Sequence, residues 1–441
     1  MNVTLRFFAE YAILPGGLSH NVVFEIADGH FTSVTADAEP GDARRLPGVV
    51  LPGLANSHSH AFQRAIRGQT HIDGGTFWTW RERMYAAAAK LDPESYLDLA
   101  RATYAEMALA GITGVGEFHY LHHARGGKPY ADPNAMAAAL RQAAEDAGVR
   151  LTLLDTCYLA GGLDASGHSA LQGSQLRFGD GDAEQWACRV EGLKDSDGFR
   201  VGAAIHSVRA VPREQIPTVV AAAAARPLHV HLSEQPAENK ACQAYYGMTP
   251  TALLGEVGAL SGRTTAVHAT HLTNDDIAAL GSSATTACFC PTTERDLADG
   301  IGPAVSLADA GCPLSLGSDQ HAVIDLFEEA RALEMDERLK SLFRGRFWPG
   351  SLLSAATNHR AIGWPEAGRL QAGALADLVA VRLDTVRTAG SSPEQILFAA
   401  TAADVDAVVV GGRQIVDHGR HVLGDVGRML SEAIAPLQGD R

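Results

Sequence analysis

The chain has 441 residues, of which 46% are hydrophobic and 20% charged, and its formal net charge is −15. That composition excludes a disordered chain, and the length asks for a large domain with a smaller companion. An acidic surface disfavours nucleic acid and anionic membranes as partners, so an anionic small molecule would have to be caught by local basic groups.

No apolar run reaches the roughly 18 residues of a membrane span. No basic start with an apolar run opens the chain, so a cytoplasmic protein without a secretion signal is expected. The six cysteines are scattered and form no CxxC pair. Cys288 and Cys290 fall on one face of an expected strand, and all six are expected to act as small buried hydrophobes.

The first 48 residues read as short strands with turns at Pro15-Gly16-Gly17 and Asp28-Gly29. From Val49 onward, short apolar runs alternate with longer helical segments, the pattern of parallel βα units. The expected strands are Val49–Leu54, Ile112–Phe118, Arg150–Cys157, Phe199–Ile205, Pro227–Leu232, Thr264–Ala269, Ala284–Phe289 and Pro313–Gly317. Tyr96–Ala110 and Asn134–Ala147 have helical composition and spacing, and the alanine patch 221–225 is plain helix-forming text. Eight strands close a barrel of packed side chains. Strand-like text returns after Pro365 and ends near residue 425. The reading is an α/β protein: a (β/α)8 barrel of the TIM type over residues 49–364, with a small β-sandwich built from residues 1–48 and 365–425.

Ionisable residues gather at the ends of the expected strands: His58 and His60, Glu117 and His119, His206, His231 and Glu234, His268, and Asp319. The carboxyl ends of barrel strands converge on one face, where such barrels carry their chemistry. A single histidine there would more often be a satisfied core residue; six strand ends so equipped make that reading poor.

His58 and His60 are two apart, so in extended backbone both imidazoles point the same way. His231 offers a third nitrogen and Asp319 a carboxylate oxygen. That donor set suits one divalent metal, Zn²⁺ first, while Fe²⁺ or Mn²⁺ would also accept these ligand types. No lysine lies near the end of the fourth strand to bridge a second ion. Coordination brings the pKa of a water from about 15.7 to near 7, which supplies a nucleophile at neutral pH. Glu234, three residues after His231, can carry a proton to a leaving group; His268 can orient or polarise; Asp319 can also accept the water's proton. His229 shares the face of His231 but sits deeper, and packing is expected of it.

Pro-Gly-Leu-Ala-Asn-Ser-His58-Ser-His60, His231-x-x-Glu234, His268 and Ser318-Asp319 resemble the amidohydrolase superfamily, in its deaminase branch. The tail Gly368-x-Leu-x-x-Gly-x-x-Ala-Asp377-Leu is similar to that superfamily's closing β-sandwich. His60-Ala-Phe-Gln63-Arg, Phe77-Trp-Thr-Trp-Arg81-Glu, Glu117-Phe-His-Tyr120-Leu-His-His and Val267-His268-Ala-Thr-His271 further resemble the formimidoylglutamate deiminases of histidine degradation.

The resemblance implies hydrolysis of N-formimidoyl-L-glutamate to N-formyl-L-glutamate and ammonia. It also implies metal ligands His58, His60, His231 and Asp319, catalytic Glu234 and His268, substrate contacts from Gln63, Arg81, Tyr120, His206 and Arg209, and a homodimer. Arginine fits the implied substrate, since guanidinium groups bind carboxylates bidentately. Gln320, after the metal aspartate, departs from the family pattern and is expected to reshape the pocket rim. A deaminase of an aromatic base such as guanine stands as the alternative. A non-catalytic metal-binding barrel or a zinc carrier follows it, disfavoured by the presence of Glu234.

Overall fold

Seven of the expected strands form the parallel barrel with ends within two residues of the reading: Ile112–His119, Arg150–Cys157, Phe199–Ile205, Leu228–Leu232, Thr264–His268, Thr286–Phe289 and Leu314–Leu316. These come from a computed structural model that describes residues 5–71 and 77–438. Each strand pairs in parallel with the next.

The first barrel strand is Leu54–Ser59 and not Val49–Leu54. The apolar run at Val49 belongs to a strand of the second sheet, Arg44–Pro52, paired with Leu5–Leu14 and Leu378–Val381. Val49 and Leu51 pack in the main core with the barrel, whereas Val50 packs in that sheet's own core. A strand buried on both faces carries the same uninterrupted apolar text as a barrel strand. The chain passes between the two at Gly53, where a Cβ would lie 2.3 Å from Thr113 Oγ1; only glycine allows this approach.

The barrel closes where the eighth strand meets the first. The N–H groups of Ser318 and Asp319 donate to the His58 carbonyl at 3.1 and 2.9 Å, and the His60 N–H donates to the Asp319 carbonyl at 3.1 Å. Gly317 makes room, since a Cβ there would meet the His58 Cβ at 2.7 Å. The closure therefore sets two histidines and the aspartate side by side.

The terminal segments meet in a second sheet of eight strands. Its order runs from Arg420–His421 through Arg413–Asp417, Val405–Val410, Leu378–Val381, Arg44–Pro52, Leu5–Leu14 and Gly17–Ala27 to His30–Thr35. Both expected N-terminal turns are hairpins; at the second, Asp28 and Gly29 have φ of 48° and 76°, the twist a two-residue turn needs. Around the barrel, helix Pro93–Leu109 starts at Asp92, whose side chain accepts from the Ser95 N–H at 2.9 Å, and Ala135–Ala147 ends at a left-handed Gly148.

One buried ion network ties helix Ala183–Val190 to the third barrel strand. Arg189 donates to Asp155 at 2.8 and 2.9 Å and to Asp180 at 2.8 and 2.9 Å, and Trp186 Nε1 donates to Asp155 at 2.9 Å. Burial alone would raise the Asp155 carboxyl; Arg189 and His122 override it and hold it at about 2. Its stabilisation is complete above the ordinary carboxylate range of about 4 and is lost as pH falls toward 2. Arg189→Met strands two buried carboxylates and is expected to cost about 3–5 kcal/mol at pH 7. Urea unfolding at pH 7 and pH 3 checks it: the variant's deficit should shrink at the lower pH.

Candidate active site

His58 ends inside the first barrel strand, His60 follows it, His231 lies in the fifth and Asp319 follows the eighth. All four are buried. His58 Nε2 and His60 Nε2 each lie 3.3 Å from Asp319 Oδ1, and His231 Nε2 lies 3.1 Å from His58 Nε2. His60 Nδ1 is 2.9 Å from the Phe118 carbonyl, which engages that nitrogen and leaves Nε2 for the cluster.

Burial drives the imidazolium form out: His58 is pushed down to about 3 and His231 well below its ordinary value. Neutral imidazole nitrogens and a carboxylate oxygen thus point at one another with few protons to share. A divalent cation resolves that convergence, and the three-nitrogen, one-oxygen set fits the metal that the sequence implies. Cys290 also brings its thiol within 4.8 Å of His268 and Asp319. Burial raises that thiol well above its usual range, which disfavours the thiolate form a ligand needs.

His268 faces this group from the sixth strand. Its Nε2 lies 3.9 Å from both Asp319 Oδ2 and Glu234 Oε1, and its Nδ1 lies 3.4 Å from Glu294 Oε1. Burial opposes its protonation, but Glu234, Glu294 and Asp319 together outweigh burial and raise it. Ser233, His268 and Asp319 have φ of 50°, 68° and 44°. Such left-handed backbone costs non-glycine residues about 1–3 kcal/mol each and is typical of functional turns.

Above the cluster is a cavity of about 240 Å³. Every residue to which a site role was assigned lines it except His58, which is fully buried beneath. Gln63 Nε2 donates to Tyr120 Oη at 2.8 Å. The Arg81 guanidinium stands 5.7 Å from the centre of the Tyr85 ring. His206 and Tyr158 are edge to face, with ring centres 4.3 Å apart. Trp80 also lines the cavity while packing in the main core; the side chains of Phe77 and Trp78 lie outside the described residues.

Arg209 faces two carboxylates of the protein. Its Nη2 lies 3.5 Å from Glu234 Oε2 and its Nε 3.2 Å from Glu238 Oε2. Gln320 corrects an expectation: it donates to Asp296 at 2.8 Å and does not line the cavity. His229 packs as expected, its Nε2 2.9 Å from the Ala361 carbonyl.

Three buried carboxylates escaped the sequence reading of the site. Glu294 accepts from the Cys290 N–H at 2.9 Å and orients His268. Glu117, read only as a strand-end acid, accepts from Ser59 Oγ and the Ala61 N–H at 2.7 Å each, and so holds the turn on which His60 and Gln63 ride. Burial pushes Glu117 up to about 7 against those hydrogen bonds. Glu238, the third, lies in the first turn of helix Pro236–Tyr246, four residues after Glu234. A separate group, His119, His122 and Asp155, also has metal-like spacing. Asp155 is already saturated by Arg189 and Trp186, whose charge and hydrogen bonds stand where a cation would.

Residues 49–415 match the model of the Amidohydrolase family. The chain belongs to the amidohydrolase family. It is 40% identical to a formimidoylglutamate deiminase of Pseudomonas aeruginosa, over 94% of this chain and 95% of the relative. It is 31% identical to an 8-oxoguanine deaminase of the same organism, over 84% and 82% of the two chains. Among solved structures, an amidohydrolase from Brucella melitensis superposes with a TM-score of 0.92 at 34% identity, covering 98% of this chain and 99% of that one. A zinc-complexed atrazine chlorohydrolase from Arthrobacter aurescens shares the fold, with a TM-score of 0.84 at 22% identity, covering 98% and 100%. This amidohydrolase is thus a hydrolase of C–N bonds with a small-molecule substrate, and its histidine–aspartate cluster suits the divalent metal of the family. Among the described residues, no helix is long and apolar enough to cross a membrane.

Proposed function

We propose that the protein is a formimidoylglutamate deiminase, hydrolysing N-formimidoyl-L-glutamate to N-formyl-L-glutamate and ammonia in histidine degradation. The observation that carries this reading is one small cavity holding two guanidinium groups, Arg81 and Arg209, above the histidine–aspartate cluster. A substrate with two carboxylates and one amidine matches that combination. The 40% identity to a formimidoylglutamate deiminase supports it. The aromatic lining of Trp80, Tyr85, Tyr158 and Phe178 favours a second reading, deamination of an aromatic base, to which two arginines would contribute little.

In the first reading His58, His60, His231 and Asp319 hold one Zn²⁺, which when bound supplies Lewis-acid activation of water at neutral pH. Arg81 and Arg209 grip the carboxylates, with Gln63, Tyr120 and His206 completing the fit. Water adds to the amidine carbon, and the bond from that carbon to the terminal nitrogen breaks. Glu234 takes the water's first proton to the terminal nitrogen as the carbon–oxygen bond forms and its second as that bond becomes the formyl carbonyl, so the nitrogen leaves as ammonia. His268, held by Glu294, donates a hydrogen bond toward the charge that develops at the reacting carbon's oxygen.

Ammonia release from formimidoyl-glutamate, formimidoyl-aspartate and guanine is the test. The highest kcat/KM is expected with formimidoyl-glutamate; faster turnover of guanine would overturn the reading. Elemental analysis of protein purified without chelator should give one equivalent of metal, and two equivalents in active enzyme would refute the single-ion site.

A further inference from the structure

Arg209 carries much of the proposed substrate grip, and it faces a buried residue with no assigned role. Glu238 is fully buried, with its Oε2 3.2 Å from Arg209 Nε. It is the third residue of helix Pro236–Tyr246, where the amides of the first turn favour a carboxylate. An acid at that position ordinarily turns back to cap the helix's leading N–H. Glu238 does not. Its Oε1 instead accepts from the Ser233 N–H at 3.4 Å, and its other oxygen reaches out to Arg209. Ser233 is the left-handed residue that immediately precedes Glu234. Helix capping therefore explains neither partner: Arg209 lines the cavity, and Ser233 precedes Glu234, which lines it too.

We infer that Glu238 is a positioning residue that anchors the Nε edge of Arg209, so that the rest of the guanidinium stays turned toward a substrate carboxylate. The same side chain braces the turn that presents Glu234. A fork gives bidentate recognition only when its plane is fixed, and an unanchored arginine loses that preorganisation. The inference rests on the reading of the substrate as a doubly anionic amidine. Glu238→Gln separates the two duties: its amide oxygen can still accept from Ser233, while its neutral amide no longer holds the guanidinium.

The test compares kcat/KM for N-formimidoyl-L-glutamate with that for carboxylate-free N-propylformamidine, in wild type and in Glu238→Gln. The ratio of the two is expected to fall by about tenfold or more in the variant, chiefly through a raised KM for the dicarboxylate, with the carboxylate-free compound within about threefold of wild type. In an Arg209→Met background, Glu238→Gln should add nothing to the loss on the dicarboxylate. An unchanged ratio, or additive losses in the double variant, would overturn the inference and leave the function intact. Wild-type protein that does not turn over the dicarboxylate would overturn the functional reading and this inference together. Should Glu238→Gln not fold, Glu238→Asp keeps the charge but withdraws it by one methylene, and its ratio must fall as well.

Discussion

Replacing Glu234 with glutamine is expected to leave fold and metal content unchanged and to lower kcat by about 10²–10⁴, the usual range for losing a general acid–base group. The side chain lines the cavity, 3.9 Å from His268 and 3.5 Å from Arg209, and it is absent from the histidine–aspartate cluster that would hold the ion. Glutamine keeps its size, so the cavity should keep its shape. It cannot take a proton from water. KM should therefore move little while kcat collapses, the pattern of an interaction used in the transition state. Steady-state kinetics with metal analysis on the same preparation checks this. A variant with near wild-type kcat would reduce Glu234 to a counter-ion for Arg209, and the proton would need another carrier.

The barrel was legible because its strands are short, apolar and regularly separated, and because each ends in residues unsuited to a core. The run at Val49 misled because burial on both faces erases the alternation that distinguishes a sheet strand from a barrel strand. His58 and His60 were readable from a two-residue spacing, and Asp319 from its place after the eighth strand. Glu294 and Glu238 were not singled out: each acts on a residue about 25 or more positions away, His268 or Arg209, and no local spacing encodes that meeting. Arg209 shows the same limit from the other side. Its position in the cavity followed from standing just after His206, but the two carboxylates that flank it come from the next βα unit.

Those carboxylates sharpen what should happen when Arg209 is replaced. Its guanidinium is 23% exposed and lies 3.5 Å from Glu234 and 3.2 Å from Glu238. Arg209→Met would leave a bound substrate carboxylate without its partner, and a truncated buried charge pair costs about 2–5 kcal/mol. At about 1.4 kcal/mol per tenfold, kcat/KM for formimidoyl-glutamate should fall on the order of several hundredfold. Arg209→Lys should recover little, because an ammonium does not reproduce a planar fork. The danger in interpreting such a loss is that Glu238, buried and stripped of its cation, could disturb the turn at Ser233 and so reach the chemistry through Glu234. N-propylformamidine separates the two routes, since it has no carboxylate to lose. Its slow reaction should be almost indifferent to Arg209→Met if the arginine serves recognition. If instead the carboxylate-free compound loses as much rate as the dicarboxylate, Arg209 acts on Glu234 or on the fold, and the main argument for a glutamyl substrate over an aromatic base fails with it.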